Sequence, residues 1–193
     1  MVVVDMPAVE LPASSRWWTF DDLLALPESD WRFEIVDGGL LMTPGPGLWH
    51  ESVSDILRRR LWDALPSGLR ILGPVTVDMD PTYLIPDLMV LPHDVVRRGG
   101  AKAMAADALI VIEIVSPASA SVDRILKPAK YAEAGIPHFW RVEFQPELSL
   151  TAYALPEGTS SYTELGTWTA GQTAPIRAPF EVDIDVSELA PDR

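Results

Sequence analysis

The period of the apolar residues along the chain predicts a succession of short elements separated by proline and glycine. Trp31, Phe33 and Ile35 alternate with Arg32 and Glu34, the period of a half-buried strand, and Asp37-Gly38 ahead of residues 40–42 signals a β-hairpin. Before it, Thr19 with Asp22 reads as a helix N-cap with an acid at N3, which predicts a short helix over 20–26 ended near Pro27. The run PGPG at 44–47 permits neither element to continue. Val53, Ile56, Leu57, Leu61 and Leu65 recur at three-to-four spacing, so 49–65 is expected to be an amphipathic helix. Residues 70–77 read as one strand broken at Gly73-Pro74, and 84–91 as a short apolar strand. Residues 92–107 read as a flexible basic loop.

The pattern is broken most sharply at 109–115, where every residue is apolar except Glu113. Such a run, rich in Ile and Val, predicts a strand buried on both faces. Burying even a polar group without a partner costs about 2–7 kcal/mol, and a charge costs more, so Glu113 requires a cation from solution or a basic side chain such as Lys127. Asp87, within 84–91, is a second acid in the same kind of setting. A loop and a helix follow Glu113, with Gly135 as the C′ residue of that helix. Strands are expected at 137–143, 148–154, 162–168 and 180–184, with Pro175 and Pro179 in turns between them. The first 15 residues read as a loose arm, 16–193 as a single domain, and 186–193 as a frayed acidic tail.

Composition narrows the function. At 193 residues, 48% hydrophobic and 22% charged, the chain can bury a sizeable core, and its 18 prolines agree with many short elements. Cysteine is absent, which excludes disulfides, thiolate catalysis and Cys-based zinc sites. The N-terminus has no basic n-region, and no apolar run reaches the 18 to 20 residues that span a bilayer, so a soluble cytoplasmic protein without a membrane partner is expected. A net charge of −13 argues against a non-specific nucleic-acid coat. DNA would then need a local basic groove, for which Arg58, Arg59 and Arg60, Arg97 and Arg98, and Arg124, Lys127 and Lys130 are the available clusters.

Two acids in apolar strands, 26 residues apart, can lie on neighbouring strands with their oxygens converging. Mg²⁺ is held by one or two carboxylates with water or phosphate completing its shell. An ion there polarises a phosphodiester and acidifies a bound water, while a nearby Lys stabilises transition-state charge. On this reading Asp87 and Glu113 are ligands, the backbone carbonyl of Ile114 is the third, and Lys127 is the catalytic cation. His50, in a first helical turn, either contacts phosphate or completes local structure. Ser116 and Asp123 are expected to satisfy turn and helix-cap backbone groups. The tryptophans are expected in core or interface.

The segments FEIVDGGLLMTPGPGLWHE, IPDLMVL and VIEIVSPASASVDRILKPAKYAEAGIPHFWRVE carry a resemblance. With their order of helix, strands and helix, they resemble the Uma family of putative restriction endonucleases, within the PD-(D/E)XK nuclease superfamily. The resemblance covers 19–143 and implies an α+β or α/β fold: a central mixed sheet flanked by helices, with an N-terminal β-hairpin and extra C-terminal strands. It further implies an endonuclease that hydrolyses DNA with Mg²⁺, or Mn²⁺ in its place, as a homodimer. In the parent motif a Lys stands two residues after the Glu, whereas this chain has Val115 there; the resemblance moves that role to Lys127. Pro128 then requires the helix to begin near it or to kink, and Lys130 is the substitute. Glu34 resembles the family's hairpin acid and would orient a metal-bound water, against the plainer expectation of an exposed strand position. Two other functions keep the same residues: a catalytically inactive module that binds nucleic acid or a protein, and a carboxylate-pair hydrolase of another substrate.

Overall fold

A computed structural model describes residues 17–191, so the expected N-terminal arm lies outside the described residues. Helix α1 (Phe20–Leu24) opens on a capping box: the Thr19 hydroxyl accepts from the Asp22 N–H, and Asp22 Oδ2 accepts from the Thr19 N–H at 2.8 Å. Strands β1 (Trp31–Val36) and β2 (Gly39–Pro44) form the hairpin, turned by Asp37 and Gly38 at φ 49° and 76°. Two successive left-handed residues are what the twist of a tight hairpin demands. Helix α2 (Leu48–Ala64) buries Val53, Leu57 and Leu61 on one stripe. Four strands follow, β3 (Leu69–Leu72), β4 (Thr76–Met79), β5 (Thr82–Leu84) and β6 (Leu88–Pro92). Next come α3 (His93–Arg98), β7 (Lys102–Met104) and the fully buried β8 (Ile110–Val115). A π-helical turn (Val122–Leu126) leads directly into α4 (Lys127–Glu133). Strands β9 (His138–Glu143), β10 (Ser149–Ala154), β11 (Thr163–Thr169), β12 (Thr173–Ile176) and β13 (Val182–Asp185) complete the chain, with a final 3₁₀ turn at Val186–Leu189.

The central mixed sheet has six strands in the order β11-β10-β9-β8-β6-β3, and within it only β8 and β9 run parallel. Side chains of β8 alternate between its faces. Ile110, Ile112 and Ile114 join Leu57 and Leu61 of α2 and Val182 and Ile184 of β13 in one apolar layer. Val111 joins Tyr131 of α4, Leu84 of β5 and Phe139 in the other. Glu113, two residues from Val111, therefore points into the second layer. That layer is closed by α4 and a five-stranded sheet ordered β2-β1-β5-β4-β7.

Several sequence expectations change. Residues 70–77 are two strands in different sheets: β3 pairs with β6, whereas β4 pairs with β5 and β7, and the break at Gly73-Pro74 is where the chain crosses between them. Residues 92–107 are not a loop, because α3 half-buries Val95 and Val96 and β7 buries Ala103 against the second layer. Pro175 lies inside β12, opposite Asp183, in a two-stranded ribbon where a missing N–H is tolerated at an edge. The tail is anchored as far as Leu189, since Val186 and Leu189 are buried in the first layer and Glu188 pairs with Arg60 at 2.7 Å. No helix among the described residues is long and apolar enough to cross a membrane.

Candidate active site

Asp87 stands immediately before β6, beside Ile114 of β8. Its Oδ2 accepts from the Ile114 N–H at 2.8 Å and meets His50 Nε2 at 2.9 Å, and its Oδ1 accepts from the Arg32 guanidinium at 2.9 Å. Arg32 comes from β1, which passes over the central sheet, and His50 comes from the first turn of α2. The backbone here is packed tightly enough that a methyl group at Gly73 would overlap the Asp87 carbonyl oxygen. That crossover glycine is needed for the position of the acid.

Glu113 holds a different set of partners. Its Oε1 accepts from the Tyr131 hydroxyl at 2.6 Å, and Lys127 Nζ lies 3.2 Å from Oε1 and 3.3 Å from Oε2. The same ammonium lies 3.1 Å from Glu34 Oε1, 3.7 Å from Asp123 Oδ1 and 3.4 Å from the Ile85 carbonyl. Glu34 Oε1 also accepts from the Ile85 N–H at 2.6 Å, while its Oε2 is buried and has no hydrogen-bond partner. Asp123 accepts from the Ser119 hydroxyl.

Pro128 accounts for the local backbone that delivers Lys127. A proline has no N–H for the helix and its ring crowds the carbonyl four residues back. The chain relaxes this by widening one turn: the Lys127 N–H bonds the Val122 carbonyl, five residues back, and α4 proper begins at Lys127 with Pro128 in its first turn. A widened turn of this kind is a recognised way to re-aim side chains from a helix. It leaves Asp123 and Lys127 both buried and facing β8, with Tyr131 one turn further on.

The electrostatics follow from this geometry. Burial resists ionisation of Asp87, but His50, Arg32 and Lys127 outweigh it and hold its pKa at about 2. Glu113 goes the other way. Burial pushes its pKa well up, Lys127 opposes this, and the carboxyls of Asp87, Asp123 and Glu34 add to it. Burial alone would discharge Lys127, yet the surrounding acids raise its pKa above the ordinary value, so it remains an ammonium. Among the described residues, Glu34, Asp87, Glu113 and Asp123 thus face only Arg32 and Lys127 as permanent cations, an excess of acid, and Asp87 and Asp123 line a recess of about 20 Å³. Arg32, Thr43, His50, Ser119 and Lys127 are among its walls, and the space suits one water or one ion.

The structure brings Asp87, Glu113, Lys127, Glu34 and His50 into one cluster. Glu34 is fully buried, not an exposed strand acid, because β1 lies between other elements and both of its faces are covered. Asp123 is not a helix cap, since it lies inside the helical turn and faces Lys127. Ser116 does serve a turn, accepting from the Ser119 N–H at 3.3 Å. At Ile114 the atom bonded to Asp87 is the N–H. Lys130 lies outside the cluster, 2.9 Å from Asp37 and 2.9 Å from Glu133. Arg32 and Tyr131 belong to the cluster and were not foreseen. Their signals were present, Arg32 two residues from Glu34 on the same strand face and Tyr131 four residues after Lys127. The basic clusters disperse: Arg59 pairs with Asp55, Arg60 with Glu188, Arg98 with Asp107 and Arg124 with Glu143.

Two comparisons with known proteins bear on the family and the fold. The model of the Uma2 family, described as a putative restriction endonuclease, matches residues 20–187. A crystal structure described as a putative nuclease belonging to DUF820 from Anabaena variabilis superposes with a TM-score of 0.69 at 16% identity, covering 89% of this chain and 97% of that one. The likeness establishes a restriction-endonuclease-like fold. No curated protein matches the chain.

Proposed function

Because the chain belongs to the Uma2 family of putative restriction endonucleases, we propose that it is a divalent-metal-dependent endonuclease that hydrolyses phosphodiester bonds of DNA, with Mg²⁺ as its ion and Mn²⁺ as a substitute. Family and fold support nuclease activity in general. The observation that carries the finer reading is that Asp87, bonded to the Ile114 N–H, stands immediately before the strand neighbouring that of Glu113, beside a buried ammonium, with more carboxyl groups present than cations to balance them.

No three His, Asp or Glu side chains among the described residues converge as a ready cage. Mg²⁺ does not require one, since one or two carboxylates with water and phosphate suffice. Asp87 Oδ1 has a lone pair left after Arg32, and Glu34 Oε2 is an unpartnered buried acceptor. In a strand the N–H and C=O of one residue open to the same side, so the Ile114 carbonyl faces the side from which its N–H reaches Asp87. These residues fit the ion: Asp87, Glu113 and the Ile114 carbonyl would hold it, and when bound it would lower the pKa of a water and polarise the phosphate.

The protein groups divide the remaining work. Water oxygen attacks phosphorus and gives up a proton, the bond from phosphorus to the leaving sugar oxygen breaks, and that oxygen takes a proton from solvent water. Glu34 Oε2, the buried acceptor without a hydrogen-bond partner, would take a proton from the attacking water. Lys127, held as an ammonium, stabilises the charge that builds on the phosphoryl oxygens and cannot itself serve as the base. Arg32 and His50 are positioning residues that fix the ionised Asp87. The recess admits little besides the reacting atoms, so the strand must enter over its rim.

The test is cleavage of plasmid and oligonucleotide DNA with Mg²⁺, with Mn²⁺ and with chelator, by the parent protein and by Asp87→Asn, Glu113→Gln and Lys127→Ala. Metal-dependent cutting lost in all three variants is expected; undiminished cutting by Asp87→Asn and Glu113→Gln removes the proposal. One observation favours a second reading, an inactive nucleic-acid-binding module. Lys127 sits between Glu34 and Glu113, where its ammonium can replace an ion permanently. Calorimetric titration with Mg²⁺ separates the two, because a module neutralised by Lys127 takes up no ion.

A further inference from the structure

Beside the catalytic cluster, on the same face of the central sheet, lies a second concavity of about 260 Å³ between α4 and β10, whose walls include Arg124, Phe139, Arg141, Tyr153, Ser161 and Tyr162. Arg141 is in register with Glu113 on the adjacent parallel strand, so the two backbones are one strand spacing apart, about 4.8 Å. Tyr153 belongs to the next strand, opposite Phe139. The planar groups form a column: the Phe139 and Tyr153 rings stack with centroids 5.5 Å apart, and the Arg141 guanidinium lies 5.5 Å from the Tyr153 ring centre. Arg141 Nε is 2.8 Å from Glu143, and Arg124 binds the other oxygen of the same carboxylate. Two guanidiniums sharing one carboxylate leave a positive charge over. The groove neighbours the cluster: Arg124 lines both the groove and an adjoining hollow, and Ser116 lines both that hollow and the recess at the cluster.

We propose that this groove is a nucleobase subsite: it takes the base of a nucleotide flanking the scissile phosphate, stacked over the Arg141 guanidinium, with Arg124 toward that nucleotide's phosphate. The inference rests on the nuclease reading for its substrate. A base reaches such a groove only from an unpaired or extruded stretch, because in a duplex its faces are covered by its neighbours. The charge distribution points the same way. With Arg59, Arg60, Arg98 and Lys130 each held by an acid and a net charge of −13, the surface is poor at tracking duplex phosphates. Stacking on aromatic and guanidinium planes contributes to single-strand binding beside whatever phosphate contacts a basic groove supplies. Arg141, Tyr153 and Ser161 are then the residues that set base preference.

The four deoxynucleoside 5′-monophosphates, titrated into isotope-labelled protein at low salt, are the probe. At least one is expected to shift the resonances of Arg124, Arg141 and Tyr153, with affinity weakened about tenfold or more in Arg141→Ala and in Ser161→Trp, which fills the groove from an exposed position. Glu113→Gln is expected to bind it undiminished. In parallel, sequencing the ends cut from an oligonucleotide with a randomised unpaired stretch is expected to show a base preference next to the cut that Ser161→Trp flattens. Cutting without any groove-dependent nucleotide binding, and with the preference unchanged in both variants, overturns the subsite and leaves the nuclease reading standing. Nucleotide binding in the groove without cutting under any divalent ion supports the subsite and removes the nuclease reading.

Discussion

The two acids Asp87 and Glu113 occupy sites of opposite quality. Asp87 is buried among donors, with Arg32, His50 and the Ile114 N–H on its two oxygens, and its ionised form is favoured. Glu113 is buried among other acids that compete for a single ammonium, and its ionised form is disfavoured. One half of the cluster is therefore finished as a piece of folded protein, and the other half is left electrostatically incomplete. Buried charge without full compensation is costly, and such sites concentrate where function requires them.

The largest effect expected is on cleavage, where Glu113→Gln should cost at least about 10³-fold in initial rate, as Asp87→Asn should. Stability then separates the two acids. Asp87→Asn removes the carboxylate facing Arg32 and His50, and Lys127→Met strands the acids around it. Each should lower the unfolding free energy by about 3–5 kcal/mol, read from urea midpoints. Glu113→Gln should instead leave the metal-free protein unchanged or more stable by about 1 kcal/mol, since a neutral amide keeps the Tyr131 bond and relieves acid crowding. A loss as large as that of Asp87→Asn would erase the comparison.

Acid titration sharpens it. Asp87, lowered from 3.8 to about 2, contributes stability that is present above the higher value and lost as pH falls toward the lower. Glu113, raised above its ordinary 4.5, contributes a penalty at high pH that fades as pH falls through its raised value. The melting temperature of the metal-free protein should therefore rise from alkaline toward mildly acidic pH and then fall below 3.8, and Glu113→Gln should show a smaller rise, since burial also raises the Asp123 carboxyl. The smallest effect belongs to Lys130→Ala. Its partners are exposed side chains, so stability should change by less than about 0.5 kcal/mol, and cutting should match the parent.

Much of the cluster was legible because Glu113 and Asp87 violate an apolar pattern, and the need of Glu113 for a basic partner pointed to Lys127. The hairpin was legible because Asp37-Gly38 encodes its own turn. Glu34 and Arg32 were harder to read for a physical reason. Alternation in β1 implies a wet face, but that face looks into the gap between two sheets, so polarity marked a buried ion network. The strands β4, β5 and β7 carry too few residues to show a period, and their pairing is decided by partners distant in sequence. Asp123 looked like a cap because no pattern in the sequence announces a widened turn.

That widened turn makes the candidate site depend on helical phase as well as on identity. If Pro128 is replaced by a residue with an N–H, the helix can return to its ordinary pitch by expelling one residue, which turns everything before the proline by about 100° relative to the remainder of α4. Asp123 and Lys127 would then no longer look at the same point as Tyr131. The chain can in this way lose the proposed catalytic centre with every side chain of it still present, so Pro128, itself outside the cluster, acts as the key that indexes them.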